Sequence, residues 1–168
     1  MKNMLIAAVA ALGFAVTAVP ATAQSFTGPR VEATVGFSDV TKARDTTGVL
    51  YGLNAGIDAP IGATPWRVGV EATTDQLFDR DRDIGVSGRL GYVLGQDQRV
   101  MVYGKAGYAN FREIDFRNRS RALDGLRVGG GVEFALTDNV YTKAEYRYTD
   151  FEGKSGKHGG QVGIGLRF

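Results

Sequence analysis

The ionisable residues of this chain recur in one phase of an alternating pattern. Glu32, Arg67, Glu71, Arg89, Lys105, Arg127, Glu133, Lys143, Glu145, Arg147 and Arg167 each sit where the apolar neighbours leave every second position free. Ions gathered on one face of extended chain can do two things. They can line a water-filled conduit, or they can pair and fill a closed space. An isolated buried ion costs several kcal/mol, so any member shut away from water needs a partner. The spacing offers candidates. A turn centred on Asp138, within Thr137–Asn139, sets Glu133 opposite Lys143. Glu71 and Arg89 fall at similar depth on neighbouring segments, and Glu145 shares a middle layer with Arg89 and Lys105. A structural salt-bridge plug is favoured over an ion-conducting lumen.

Other chemistry finds little support. His158 is the only histidine and there is no cysteine, so neither a zinc set nor a nucleophilic triad is spelled out. Ser155 lies near His158, but no acid–His–Ser spacing stands out. Asp79-Arg-Asp81-Arg-Asp83 imitates the start of a calcium loop, then places Ile84 and Leu90 where Gly and Glu are required. Gly129–Gly131 runs into a strand pattern and not a helix, which excludes a phosphate loop. No catalytic residue, cofactor or metal is expected. Twenty Lys and Arg against 18 Asp and Glu give no reason to expect nucleic acid.

The elements that must position these ions are strands. Period two is present in eight runs: Arg30–Phe37, Val49–Ala59, Trp66–Thr73, Ile84–Leu94, Val100–Asn110, Gly125–Ala135, Val140–Thr149 and Gly160–Phe168. One face of each run is apolar. The other mixes ions with glycine, including Gly56, Gly69, Gly85, Gly131 and Gly165. A soluble barrel would turn the apolar face inward and would rarely need so many surface glycines. A membrane barrel reverses this, with the apolar face toward lipid and the polar face filling the lumen. The expected connections alternate in length. Long, charged ones cover 38–48, 74–83, 111–124 and 150–159, and short ones cover 60–65, 95–99 and 136–139. Trp66, Tyr92 and Phe134 fall near the short turns and Tyr148 near the other end, as interfacial aromatics do. The expected fold is an all-β, eight-stranded antiparallel up-and-down transmembrane β-barrel.

Residues 1–23 read as a secretory signal peptide: a short positive start, an apolar stretch over Leu5–Val19 and Ala21-Thr22-Ala23 before Gln24. The barrel domain is then 24–168. Glycine, 24 of 168 residues, is about twice as frequent as in an average chain. In a narrow barrel it supplies the room that Arg, Lys and Glu side chains need.

The chain resembles the small outer-membrane β-barrels of OmpA and OmpX type and the opacity-type surface antigens. The likeness spans nearly all of 24–168 and is most specific in Leu126–Phe151, with Val128-Gly-Gly-Gly-Val-Glu-Phe134 and Glu145-Tyr-Arg-Tyr-Thr-Asp-Phe151. Val102–Tyr108 resembles the family's fifth strand. Val162, Ile164, Leu166 and Phe168 resemble its C-terminal assembly signal, which implies recognition by the barrel-insertion machinery. The resemblance implies an outer-membrane location, both termini periplasmic, long loops extracellular and a monomer. It leaves the role open between envelope structure and surface interaction or adhesion, with a small porin-like pore as the alternative. Arg117, Arg119 and Arg121 are placed to meet lipopolysaccharide phosphates or simply to be solvated. Ending at Phe168, the chain is expected to lack the peptidoglycan-binding domain of OmpA-like proteins.

Overall fold

The computed structural model describes residues 26–41, 48–77, 82–114, 120–151 and 155–168. The expected signal peptide, Arg117 and Arg119 lie outside these residues. Eight strands follow in chain order: β1 (Gly28–Thr41), β2 (Gly48–Pro60), β3 (Trp66–Leu77), β4 (Arg82–Leu94), β5 (Val100–Ile114), β6 (Ser120–Ala135), β7 (Val140–Phe151) and β8 (Ser155–Arg167). Each pairs antiparallel with the next, and β8 closes on β1 to make a barrel. Closure leaves no sheet edge unpaired, so every strand's backbone groups are satisfied inside the wall.

All eight runs read from the sequence are strands, and each of their apolar faces points outward. Val35, Leu53, Val70, Val86, Leu126 and Ile164 are at least half exposed. The buried positions between them are mostly polar. Outward positions along β8 and the residue that follows it run from Gly160 to Phe168. At about 3.3 Å per residue and a tilt near 40°, this spans roughly 20 Å, close to the apolar band of a membrane barrel. Trp66 packs edge-to-face on Tyr92 at 4.9 Å beside the short turns, here called the turn end. Phe37, Tyr51 and Tyr108 project outward toward the opposite, loop end.

The expected difference in connection length is not present. The strands run further at the loop end, so the gaps there are 42–47, 78–81, 115–119 and 152–154. They match the turns 61–65, 95–99 and 136–139 in length. The charged segments lacked apolar alternation and so read as loops. Ladder hydrogen bonds need no apolar side chain, and the β5–β6 register continues through Glu113 opposite Arg121 to Ile114 opposite Ser120. His158, expected in a loop, is in β8 opposite Tyr148.

A small apolar cluster closes the turn end. Phe26 has a left-handed backbone (φ 67°) and packs with Val93, Met101 and Tyr103. The Arg167 guanidinium lies over the Phe26 ring at 5.4 Å. Because every strand is held on both sides, the folded barrel should resist detergent. Unheated and boiled samples of the purified protein are expected to migrate differently on a gel. Identical migration would count against a closed membrane barrel.

Candidate functional site

The eleven ions singled out by spacing all lie in the barrel interior, each no more than 6 % exposed. The structure adds Arg30, Asp58, Asp75, Asp83 and Lys157 to them. Arg30 shares the phase of Glu32 on β1 and Asp58 that of Gly56 on β2, so the alternation itself could have found them. Asp75, Asp83 and Lys157 continue that phase beyond the ends of the alternating runs read from the sequence.

In the middle of the lumen, five cations meet five carboxylates. Arg30 contacts Glu32 at 3.5 Å, Asp58 at 3.0 Å and Glu71 at 2.7 Å. Arg89 contacts Asp58 at 3.1 Å and Glu133 at 2.8 Å. Lys105 joins Glu71 at 2.6 Å and Glu145 at 2.7 Å. Lys143 joins Glu32 and, at 3.2 Å, Glu145. Arg167 contacts Asp58 at 3.0 Å and Glu133 at 2.9 Å. Each ion touches at least two of opposite sign, so the set is a continuous and electrically neutral lattice. Two tyrosines complete it. Tyr103 donates to Glu145 at 2.6 Å and Tyr141 donates to Glu32 at 2.7 Å. Arg67 stands apart at the turn end, donating to the carbonyls of Thr64 and Trp66.

Glycine makes these contacts possible. In register, Gly56 lies between Arg30 and Glu71, and Gly69 between Asp58 and Arg89. Gly131 lies between Tyr103 and Glu145, and Gly165 between Tyr141 and Glu32. In all four cases a side chain crosses the glycine of an intervening strand and meets a partner two strands away. A Cβ added at Gly56 would stand 2.9 Å from Arg30 Nη2, and one at Gly131 would stand 2.8 Å from the Tyr103 hydroxyl. The glycine-and-ion face is therefore a set of crossings.

The expected partners are partly corrected. Glu133 and Lys143 are opposite each other, as the turn implied. They are not an ion pair: Glu133 turns to Arg89 and Arg167, and Lys143 turns to Glu32 and Glu145. The curved wall brings other strands' ions within reach of these long side chains, which a flat hairpin cannot show. Glu71 and Arg89 make only a long contact, 3.9 Å. Glu145 does meet Lys105. It is linked to Arg89 through Tyr103, whose ring lies 4.3 Å from the guanidinium carbon.

Val162, Ile164, Leu166 and Phe168 all face outward and are 45–57 % exposed. Trp66 and Phe134 are exposed on the same face, whereas Tyr92 and Tyr148 are half-buried. Tyr148 is packed on His158 with ring centroids 4.7 Å apart. His158 is exposed outside the barrel, and its Nδ1 is 2.5 Å from the Tyr146 hydroxyl. The side chain of Ser155 lies outside the described residues.

An apolar exterior around a filled ionic interior defines a transmembrane barrel, the inverse of a soluble one. Residues 6–168 match the model of the outer membrane protein beta-barrel domain, and the chain belongs to that family. It is 29 % identical to a 25 kDa outer-membrane immunogenic protein of Brucella ovis over the whole chain and 98 % of that protein. It is 38 % identical over 73 residues to a 22 kDa outer membrane protein of Rhizobium leguminosarum bv. viciae. That match covers 41 % of the chain and only a third (33 %) of the relative's length. Among solved structures, Neisserial surface protein A has a TM-score of 0.60 at 18 % identity, covering 84 % of this chain and 98 % of that one. Ail, the attachment invasion locus protein of Yersinia pestis, has 0.60 at 19 %, covering 84 % and 99 %. The outer membrane enzyme PagL has 0.55 at 14 %, covering 83 % and 99 %. At these identities the likeness establishes the fold, which is shared by enzymes and non-enzymes.

Two measurements probe the lattice. In unfolding-based double-mutant cycles, Glu133 with Arg167 should couple by about 1–3 kcal/mol, and Glu133 with Lys143 by less than about 0.5 kcal/mol. Stronger coupling in the second pair would refute the cross-lumen pairing. Gly56→Leu should destabilise the barrel by about 3 kcal/mol or more, because it blocks the path of Arg30 to Glu71. An unchanged unfolding midpoint would show that the crossing does not need glycine.

Proposed function

We propose that this protein is a non-enzymatic, non-conducting barrel whose role is envelope-structural or surface-interacting. The carrying observation is the closed lattice. Glu71 and Glu133 lie within it fully shut from solvent, so no water column passes them. A conducting lumen needs hydrated, exchangeable ions, whereas these carboxylates are each held by two or more cations. His158 lies on the outer wall, and its ring neighbours among the described residues are Tyr146 and Tyr148. That favours a packing role for it.

In this reading the termini and the turns 61–65, 95–99 and 136–139 face the periplasm, and the four other connections face outward. An even strand number puts both ends on one side, and the sequence around the loop end carries the denser charge, as in Asp75–Asp83. The relatives named immunogenic proteins support surface display. The barrel is a monomer whose apolar belt meets outer-membrane lipid. The basic loop residues, Arg117, Arg119 and Arg121, are candidates for lipopolysaccharide phosphates. The outward side chains of Val162, Ile164, Leu166 and Phe168 on the closing strand are the surface offered to the barrel-insertion machinery.

Planar-bilayer recording tests the central point. Purified protein inserted in bilayers should give no steady unitary conductance. Reproducible steps that disappear with inactivated protein would favour the pore.

A further inference from the structure

The crossings account for inward glycines, but Gly88, Gly104, Gly130 and Gly160 lie in the opposite phase and face outward. A Cβ added at Gly88 or Gly104 would meet no atom closer than 3.9 Å. At Gly130 the nearest atom is the Tyr103 carbonyl oxygen, and at Gly160 it is the Phe37 ring. No lattice side chain is among these neighbours. Glycine weakens a strand interior, so its use where the wall does not require it calls for a reason outside the wall.

Two of these glycines floor a hollow. On the outer wall from β6 round to β1, Gly130, Tyr146, Gly160 and Phe37 are successive partners in one outward row. Ala144 lies in the next row toward the turn end. The hollow has a volume of about 540 Å³, opens to the outside and is almost wholly apolar. It sits at the loop-end limit of the apolar belt, because the next outward row holds Asp39, His158 and Tyr148. Water in such a place would lack hydrogen-bond partners, and the surrounding medium is hydrocarbon.

The mouth of the hollow is polar. The Tyr146 hydroxyl, at its rim, meets His158 Nδ1 at 2.5 Å. In the neutral pair one proton makes that bond and one is left over. The spare proton is on Nε2 if the tyrosine donates, and on the hydroxyl if the tyrosine accepts. Asp39, exposed and opposite His158 in the ladder, supplies an acceptor. An apolar hollow thus ends in one donor and one anionic acceptor.

We propose that this hollow seats one acyl chain of lipopolysaccharide, with its amide-linked hydroxyacyl end at the mouth. The hollow is continuous with the apolar exterior that meets outer-membrane lipid. The amide carbonyl accepts from the Tyr146–His158 pair, and the chain's hydroxyl or amide N–H donates to Asp39. At the same depth a glycerophospholipid presents ester carbonyls and a phosphate, which offer Asp39 no proton. A second copy of the barrel fits poorly, because a two-fold contact sets hollow against hollow. The choice of leaflet rests on the outward orientation of the loop end proposed above.

The test is native mass spectrometry of the full barrel refolded in an uncharged detergent, with lipid A or phosphatidylethanolamine added and folding checked by heat-dependent gel migration. Folded wild type should retain one lipid A and little phosphatidylethanolamine. Ala144→Phe fills the hollow from its floor and should reduce lipid A retention by about tenfold or more. Gly130→Leu replaces it if that variant does not fold. Ala72→Phe, at an exposed position on β3, should leave retention unchanged. Asp39→Ala should narrow the preference for lipid A severalfold. No adduct with folded wild type, or equal retention by wild type and the filled variant, overturns the proposal. Phosphatidylethanolamine retained as well as lipid A overturns the choice of lipid. Orientation is read separately. The chain has no cysteine, so Thr46→Cys, in the connection 42–47, can be labelled on intact cells with an impermeant maleimide. Failure to label means that the loop end faces the periplasm, and it overturns the assignment to lipopolysaccharide whatever the hollow binds in detergent.

Discussion

The structure depends on a contact that skips a strand. Eight strands enclose too little space for water to solvate sixteen ionic side chains, so the ions must solvate one another. Adjacent positions in a β-ladder do not suffice, because each carboxylate of the central lattice meets two or more cations. Partners must be drawn from further around the wall. A side chain can travel that far only if the strand beneath it carries no side chain at that level. Gly56, Gly69, Gly131 and Gly165 each provide such a gap. The abundance of glycine and the abundance of buried charge are one requirement seen twice.

Apolar burial plays an unusual part as a result. The buried hydrophobic cluster is four residues at the turn end, Phe26, Val93, Met101 and Tyr103. Most large apolar side chains point outward, where hydrocarbon and not water surrounds them. The polarity of each strand is thereby set by its exterior, and its register by the need to keep ions inside. A one-residue slip would move every ion into lipid and every aliphatic side chain into the lattice. That makes the register of the wall strongly specified even though the inner face carries little apolar packing.

Much of this was legible in the residues. Strict alternation located all eight strands and the inward face, because period two survives whichever side is apolar. The strand ends were not legible, because Asp75, Asp83 and Lys157 continue the inward phase beyond the ends of the apolar alternation. The Glu133–Lys143 register was readable from the turn at Asp138. Their actual partners were not, since Arg89 and Arg167 come from β4 and β8, and only closure brings them together. Tyr103 and Tyr141 were missed as lattice members, because an aromatic in a strand reads as packing until its hydroxyl is seen to reach a carboxylate. Phe26 lies ahead of the first alternating run and bears no periodic signal.

The strand-skipping ties also govern the seam. Where β8 meets β1, Lys143 and Tyr141 of β7 reach over to Glu32 of β1, and Arg167 of β8 reaches Asp58 of β2. These ties join the last two strands to the first two, so they cannot exist in a partly synthesised or still-open sheet. Until the ends meet, Glu32 and Asp58 lack those partners and must stay hydrated. Ring closure is then also the step that sheds the lumen's water. Once closed, separating β1 from β8 would have to break ionic ties on both flanks along with the backbone ladder. The wall therefore has no weak line along which to unzip, and its resistance to opening is a property of the circuit as a whole.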